Sequence, residues 1–225
     1  MSFNPTAFYN LNGNSIDDIS ANNGADTSIT WVTGLKGQAA SFNGSTSKIL
    51  ITDSNAFNFN GTDFFVSCWI KRGDVSRQQY VLGQNNSGGT DLSVIINITA
   101  SNLIEGYIFN SFNASKVVTS ASAITDTTTW HNIIFTRSGN TLYLYIDGVL
   151  SNSFATGVFT INNSGSKFGI GQTGAYTLNR FNGLIDMVHI EKQSAVGLQS
   201  KIYNGGFGMP YPFNVNNGFL NFFMS

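Results

Sequence analysis

Short apolar or alternating runs, separated by turn residues, recur along the whole chain. KILI (48–51), FFVSCWI (64–70), YVLG (80–83), LSVIINI (92–98), LIEGYIF (103–109) and KVVTS (116–120) form a first series. HNIIFTR (131–137), TLYLYIDG (141–148), KFGIG (167–171) and LIDMVHI (184–190) continue it. Val, Ile, Phe, Tyr and Thr dominate these runs and suit a pleated, half-buried surface, so each predicts a strand. Ser138-Gly139-Asn140 predicts a hairpin with a three-residue loop whose last position, Asn140, takes positive φ. In the strand that follows, Leu142, Leu144 and Ile146 share one face and Tyr143 and Tyr145 the other, because successive side chains alternate. Asp147-Gly148 predicts a second turn, and two consecutive hairpins imply an antiparallel sheet. Only 194–203, SAVGLQSKIY, reads as helical, with a serine capping its start and Gly205-Gly206 ending it. The pattern is all-β with one short C-terminal helix.

Composition narrows the function classes. A chain of 225 residues suits a single all-β unit, and its 41% hydrophobic residues suffice for a sizeable core. Charged residues make up 10%, against about 25% in an average globular protein. The 11 basic residues are scattered and the net charge is −1, which argues against nucleic-acid binding. No apolar run reaches the length of a membrane span. MSFNPTAFYNLNG has neither a basic n-region nor an apolar h-region, so no secretory signal is expected. The single cysteine, Cys68, excludes an intramolecular disulfide and lies in a strand-like run, where a buried, inert thiol is expected.

The order of segments resembles the laminin-G-like jelly roll of the concanavalin A-like lectin/glucanase superfamily. AFYNLNGNSIDDISANNG looks like that family's opening strand and Asp/Asn/Gly-rich loop, and GLKGQAASFNGSTSKILI is similar to its next strand pair. FFVSCWIKR matches a core strand with its tryptophan. WHNIIFTRSGNTLYLYIDGVL resembles the family's most recognisable hairpin, and RFNGLIDMVHIEKQ with SKIYNGG its closing strand and helix. The resemblance implies a two-sheet antiparallel sandwich over residues 1–206, followed by a tail at 207–225. Free-standing members with an initiator Met and an Asn/Gly/Thr-rich surface look like phage virion proteins. The resemblance therefore implies a non-enzymatic structural and interaction protein of a virion: a head-decoration, tail or fibre-associated component. Expected partners are further copies of the chain, other virion proteins and cell-surface glycans. A carbohydrate-binding lectin, with or without calcium, is the alternative; a glycoside hydrolase is a third.

Candidate chemistry is sparse. Glycoside hydrolysis needs two carboxylates on one face, yet the only glutamates, Glu105 and Glu191, lie in separate segments. A nucleophilic triad needs a suitably placed histidine, and His131 and His189 are both expected at the sheet surface. GIGQTG (169–174) fits a dinucleotide fingerprint literally, but no helix follows it, so tight inter-strand turns explain its glycines better. Calcium prefers six to eight oxygens, which an Asp/Asn-rich loop can supply. Carried over from the resemblance, Asp18, Asn23 and Asp186 are the candidate ligands. Trp69 and Trp130 are expected in the core. Tyr143 and Tyr145 are open to two placements, a binding surface or the packing between sheets. The apolar FLNFF segment predicts an assembly contact through Phe219, Leu220, Phe222 and Phe223.

Overall fold

The computed structural model describes residues 2–213. The assembly residues Phe219, Leu220, Phe222 and Phe223 lie outside them. In chain order the strands are β1 (Ala7–Tyr9), β2 (Gly24–Thr27), β3 (Thr30–Thr33), β4 (Gln38–Asn43), β5 (Lys48–Ile51), β6 (Phe64–Arg72), β7 (Gln79–Gln84) and β8 (Val94–Ile98). They continue as β9 (Ile104–Phe109), β10 (Ser115–Thr119), β11 (His131–Ser138), β12 (Thr141–Ile146), β13 (Val149–Ala155), β14 (Phe168–Ile170) and β15 (Asn182–Glu191). One short α-helix, α1 (Gln199–Tyr203), follows.

Two antiparallel sheets stack as a jelly-roll sandwich. The eight-stranded sheet runs β13-β12-β11-β6-β15-β4-β3, with β1 also paired to β15. The seven-stranded sheet runs β10-β9-β8-β7-β14-β5-β2. The period-two alternation of each strand fixes what lies between them. From β6, Phe64, Val66, Cys68 and Ile70 enter the shared core; from β8 and β9 come Val94, Ile96, Ile98, Ile104 and Ile108. Cys68 is buried, as expected, and burial pushes its thiol pKa well up, which suppresses the reactive thiolate.

The eight-stranded sheet is buried on its outer side as well. Phe65, Ile134 and Tyr145 pack under Ala195, Leu198 and Ile202, while Phe8, Trp69 and Met187 pack under Tyr203, Tyr211 and Phe213. The N-terminal segment and residues 195–213 thus form a thin third layer. This layer decides several placements. Trp69 is buried, but beneath the cover rather than between the sheets, and Trp130 packs beside it. Tyr143 and Tyr145 also face the cover, which answers the question left open by alternation. His189 is not at the surface: it sits among the rings of Phe3, Phe8, Phe65 and Phe213, with Nε2 2.8 Å from Glu191 Oε1.

Two local expectations need correction. The β11–β12 loop has two residues, because Ser138 and Thr141 still pair, and positive φ falls on Gly139 rather than Asn140. Glycine in the first loop position matches the strand twist and makes a third residue unnecessary. The helix is shorter than the segment 194–203, and Leu198 at its N-cap makes no side-chain cap hydrogen bond. Ser194 Oγ instead accepts from Val196 N in a turn ahead of it. The turn at Asp147-Gly148 has positive φ at both positions, as the tight β12–β13 hairpin requires.

Candidate functional site

With the eight-stranded sheet covered, the outer face of the seven-stranded sheet is the other broad surface of the sandwich. Alternation on β9 sends Ile104, Gly106 and Ile108 inward and Glu105, Tyr107 and Phe109 outward. Antiparallel pairing sets Glu105 opposite Asn97, and Asn97 opposite Tyr80. The result is a row of carboxylate, amide and phenol across three strands. Tyr107 lies next along β9, its ring stacked on Phe109 at 5.7 Å.

Hydrogen bonds order this row. Glu105 Oε2 accepts from Asn97 Nδ2 at 2.9 Å and from Tyr107 Oη at 2.8 Å. Among the described residues, Oε1 accepts no bond. Burial raises the Tyr107 pKa, and the adjacent Glu105 carboxylate raises it further, so the phenol stays a neutral donor. Tyr80 is raised too, first by burial and then by Tyr176 and Glu105. The arrangement is an oriented acceptor flanked by half-buried aromatic rings.

The glycines of 169–174 complete the face. Gly83 of β7 and Gly169 of β14 pair side by side without side chains. A Cβ at Gly169 would lie 2.6 Å from both Gln172 O and Gly174 N. The loop after β14 therefore folds back onto the sheet, with Gly174 N donating to Gly83 O at 3.0 Å. It delivers Tyr176 edge-on to Tyr80 at 5.8 Å. Close backbone approach explains the motif without any nucleotide.

The remaining candidates are placed elsewhere. Glu191 belongs to the other sheet and is fully buried, accepting from Asn4 N and His189, so the two glutamates do not meet. Asp18 Oδ2 accepts from Asn10 N and Nδ2, and Asn23 Oδ1 accepts from Asp17 N. Asp186 Oδ2 accepts from Leu35 N and Lys36 N. These three share no hydrogen-bond partner. Among the described residues, no three His, Cys, Asp or Glu side chains converge to hold an ion.

His131 binds two carboxylates, with Nδ1 2.7 Å from Asp147 Oδ2 and Nε2 2.8 Å from Asp126 Oδ2. Both nitrogens can donate only in the imidazolium form. Asp147 and Asp126 together lift its pKa to about 8 against burial, and the histidine in turn holds Asp126 low. With the folded pKa above the free value of about 6.5, the histidine's contribution is complete below that pH and lost as pH rises through 8. The Asp126 contribution is present above its unfolded pKa of about 4 and lost as pH falls below it. The clasp is therefore strongest between these limits. Between pH 6 and pH 9 the wild type is expected to lose about 1 kcal/mol more than a His131→Gln variant, a figure reduced for solvent screening. Urea titrations at the two pH values check it, and parallel losses would remove the clasp's role.

Comparison with solved structures finds this fold in proteins of low sequence identity. The binding domain of Paraclostridial Mosquitocidal Protein 1 matches 90% of the chain with a TM-score of 0.72 at 17% identity. Domain 4 of AbnA, a GH43 extracellular arabinanase from Geobacillus stearothermophilus solved with arabinotriose, matches 91% with a TM-score of 0.68 at 20% identity. The botulinum neurotoxin serotype D ligand-binding domain, solved with N-acetylneuraminic acid, matches 89% with a TM-score of 0.68 at 14% identity. The chain spans about half of the two toxin domains (52% and 50%) but 98% of the arabinanase domain. No curated protein matches the sequence. A laminin-G family model, described as the concanavalin A-like lectin/glucanases superfamily, matches residues 43–195. By that match, and by the two-sheet jelly roll that carries it, the chain belongs to the concanavalin A-like lectin/glucanase superfamily.

Proposed function

We propose that this chain is a non-catalytic glycan-binding module whose recognition surface is the outer face of the seven-stranded sheet. The observation that carries this reading is the hydrogen-bonded set of Glu105, Asn97 and Tyr107 beside half-buried rings, with Asn97 itself buried beneath them. Sugars present hydroxyl groups around a ring with apolar C–H faces, and an oriented carboxylate–amide pair beside flat aromatics complements both. The toxin binding domains and the arabinanase domain support the reading through the fold they share with this chain. Hydrolysis would need a second carboxylate across the bound sugar. Glu105 has none in the hydrogen-bonded set, and Glu191 lies on the other sheet.

A glycan array followed by calorimetry tests the proposal. Glu105→Gln is expected to weaken binding at least tenfold, since a hydrogen bond to a charged group contributes about 1.5–3 kcal/mol. Tyr107→Ala is expected to weaken it by a similar factor, through loss of both the ring and the bond that orients Glu105. No selective binding on the array, or affinities unmoved by both substitutions, rejects it. Release of reducing ends from a sugar polymer by the pure chain would reject the non-catalytic part.

A second reading, protein docking in a virion, is favoured by one observation. The edge strand β13 bears no charge and exposes Val149, Leu150 and Phe154. Val149→Lys is then expected to reduce oligomer mass in light scattering; a chain that is monomeric with or without the substitution rules out self-docking there.

A further inference from the structure

We infer that the rim of the sandwich carries a second saccharide site, separate from the sheet face and selective for uncharged sugars. This rests on the saccharide reading above and adds a site to it. A cleft of about 440 Å³ opens between the β9–β10 loop and the segment after β13; its walls include Asn60, Asn110, Phe112, Val158, Asn162 and Asn163. That volume falls within the roughly 300–1,000 Å³ common for small-molecule sites.

The cleft is built rather than incidental. Phe112 is 88% exposed and Val158 93%, yet the loop that carries Phe112 is tied down. Asn110 Oδ1 accepts from Phe112 N at 3.0 Å and from Ala114 N at 2.9 Å, and Asn110 N donates to Ala114 O. These bonds fix the backbone of the loop that carries the Phe112 ring at the mouth of the cleft. On the opposite wall Asn162 N donates to Phe109 O at 2.7 Å, and Asn162 Nδ2 donates to Asp91 Oδ1 and Leu92 O. The floor is fixed because Ile161 is part of the inter-sheet core and Phe159 packs against it.

The lining chemistry selects the occupant. Asn110 Nδ2, Asn162 Oδ1 and both polar atoms of the Asn60 and Asn163 side chains make no hydrogen bond to the described residues. They offer donors and acceptors to hydroxyl groups while Phe112 offers a flat apolar surface. No lining residue is charged, so no lining side chain forms an ion pair with a carboxylate or sulfate. The ammonium of Lys116 is the nearby cation, 5.8 Å from the centroid of the Phe159 ring and outside the lining itself.

Titration calorimetry and amide NMR on the full chain test this, with chitotriose and arabinotriose as neutral probes and sialyllactose as the acidic control. Two sites are expected for a neutral trisaccharide. Tyr107→Ala removes one, and Phe112→Ser removes the other with at least a tenfold loss there. Phe112 is exposed, so the substitution leaves folding intact, and the Asn60 and Asn163 side-chain amide signals shift only while the cleft can bind. If a trisaccharide binds and Tyr107→Ala abolishes all of it while Phe112→Ser changes nothing, the rim site is refuted and the sheet-face reading stands. If no saccharide binds, both fail. Tighter binding of the acidic control in the cleft overturns the charge selectivity, and a dimer lost on Phe112→Ser makes the occupant a second copy of the chain.

Discussion

Phe135→Ala is expected to lower the unfolding free energy by about 3–5 kcal/mol, the usual cost of emptying a buried aromatic site. Phe135 is fully buried at the centre of the sandwich, edge-on to Phe64 at 5.5 Å. Its ring lies against the backbone of the opposing sheet, where a Cβ on Gly106 would come within 2.4 Å of it. Gly106 has no side chain because Phe135 fills that space. Gly106→Ala is therefore expected to cost about 1–3 kcal/mol by overpacking, and less in a Phe135→Leu background, where the space is partly freed. Urea unfolding of the single and double variants measures the coupling. Additive losses would show that the two positions do not share this contact.

The second large effect concerns Asp186. Its side chain is fully buried, Oδ2 holds the turn at 34–37 through two backbone amides, and Oδ1 has no partner. Burial raises its pKa to about 7, although the amide bonds oppose the shift. The sign follows from linkage: the unfolded carboxyl ionises near pH 4 while the folded one stays protonated. The favourable difference is complete below about pH 4 and is lost as pH climbs to 7. Asp186→Asn removes this titration and keeps an acceptor for Leu35 and Lys36. In chelator-containing buffer at pH 8 the variant is expected to be the more stable, by at most about 4 kcal/mol. A less stable variant there refutes the argument. A wild-type advantage that emerges only with added calcium would instead put an ion at Asp186, as proposed for Asp18, Asn23 and Asp186 from the family resemblance.

Much of the proposed binding face was readable as local pattern but not as a site. The alternation in LIEGYIF already sets Glu105, Tyr107 and Phe109 on one face of a strand. Sequence separation hid the rest: Tyr80 and Tyr176 meet only because the loop after β14 folds back across Gly83 and Gly169. The rim cleft is likewise assembled from three loops, at residues 60, 110–112 and 158–163. His189 was misplaced because a histidine in a strand run says which neighbours alternate with it, not what crosses above the sheet.

The chain's own order of residues determined its strands, its antiparallel hairpins and its family, because period-two alternation and turn chemistry act over a few neighbouring residues. Tertiary structure alone decided which faces stay open. Pairing β6 with β15 joins segments more than a hundred residues apart, and residues 195–213 then cover one sheet while the other carries only the loop after β14 on its outer face. Burial depends on everything that packs against a residue, and local periodicity carries no information about such distant partners.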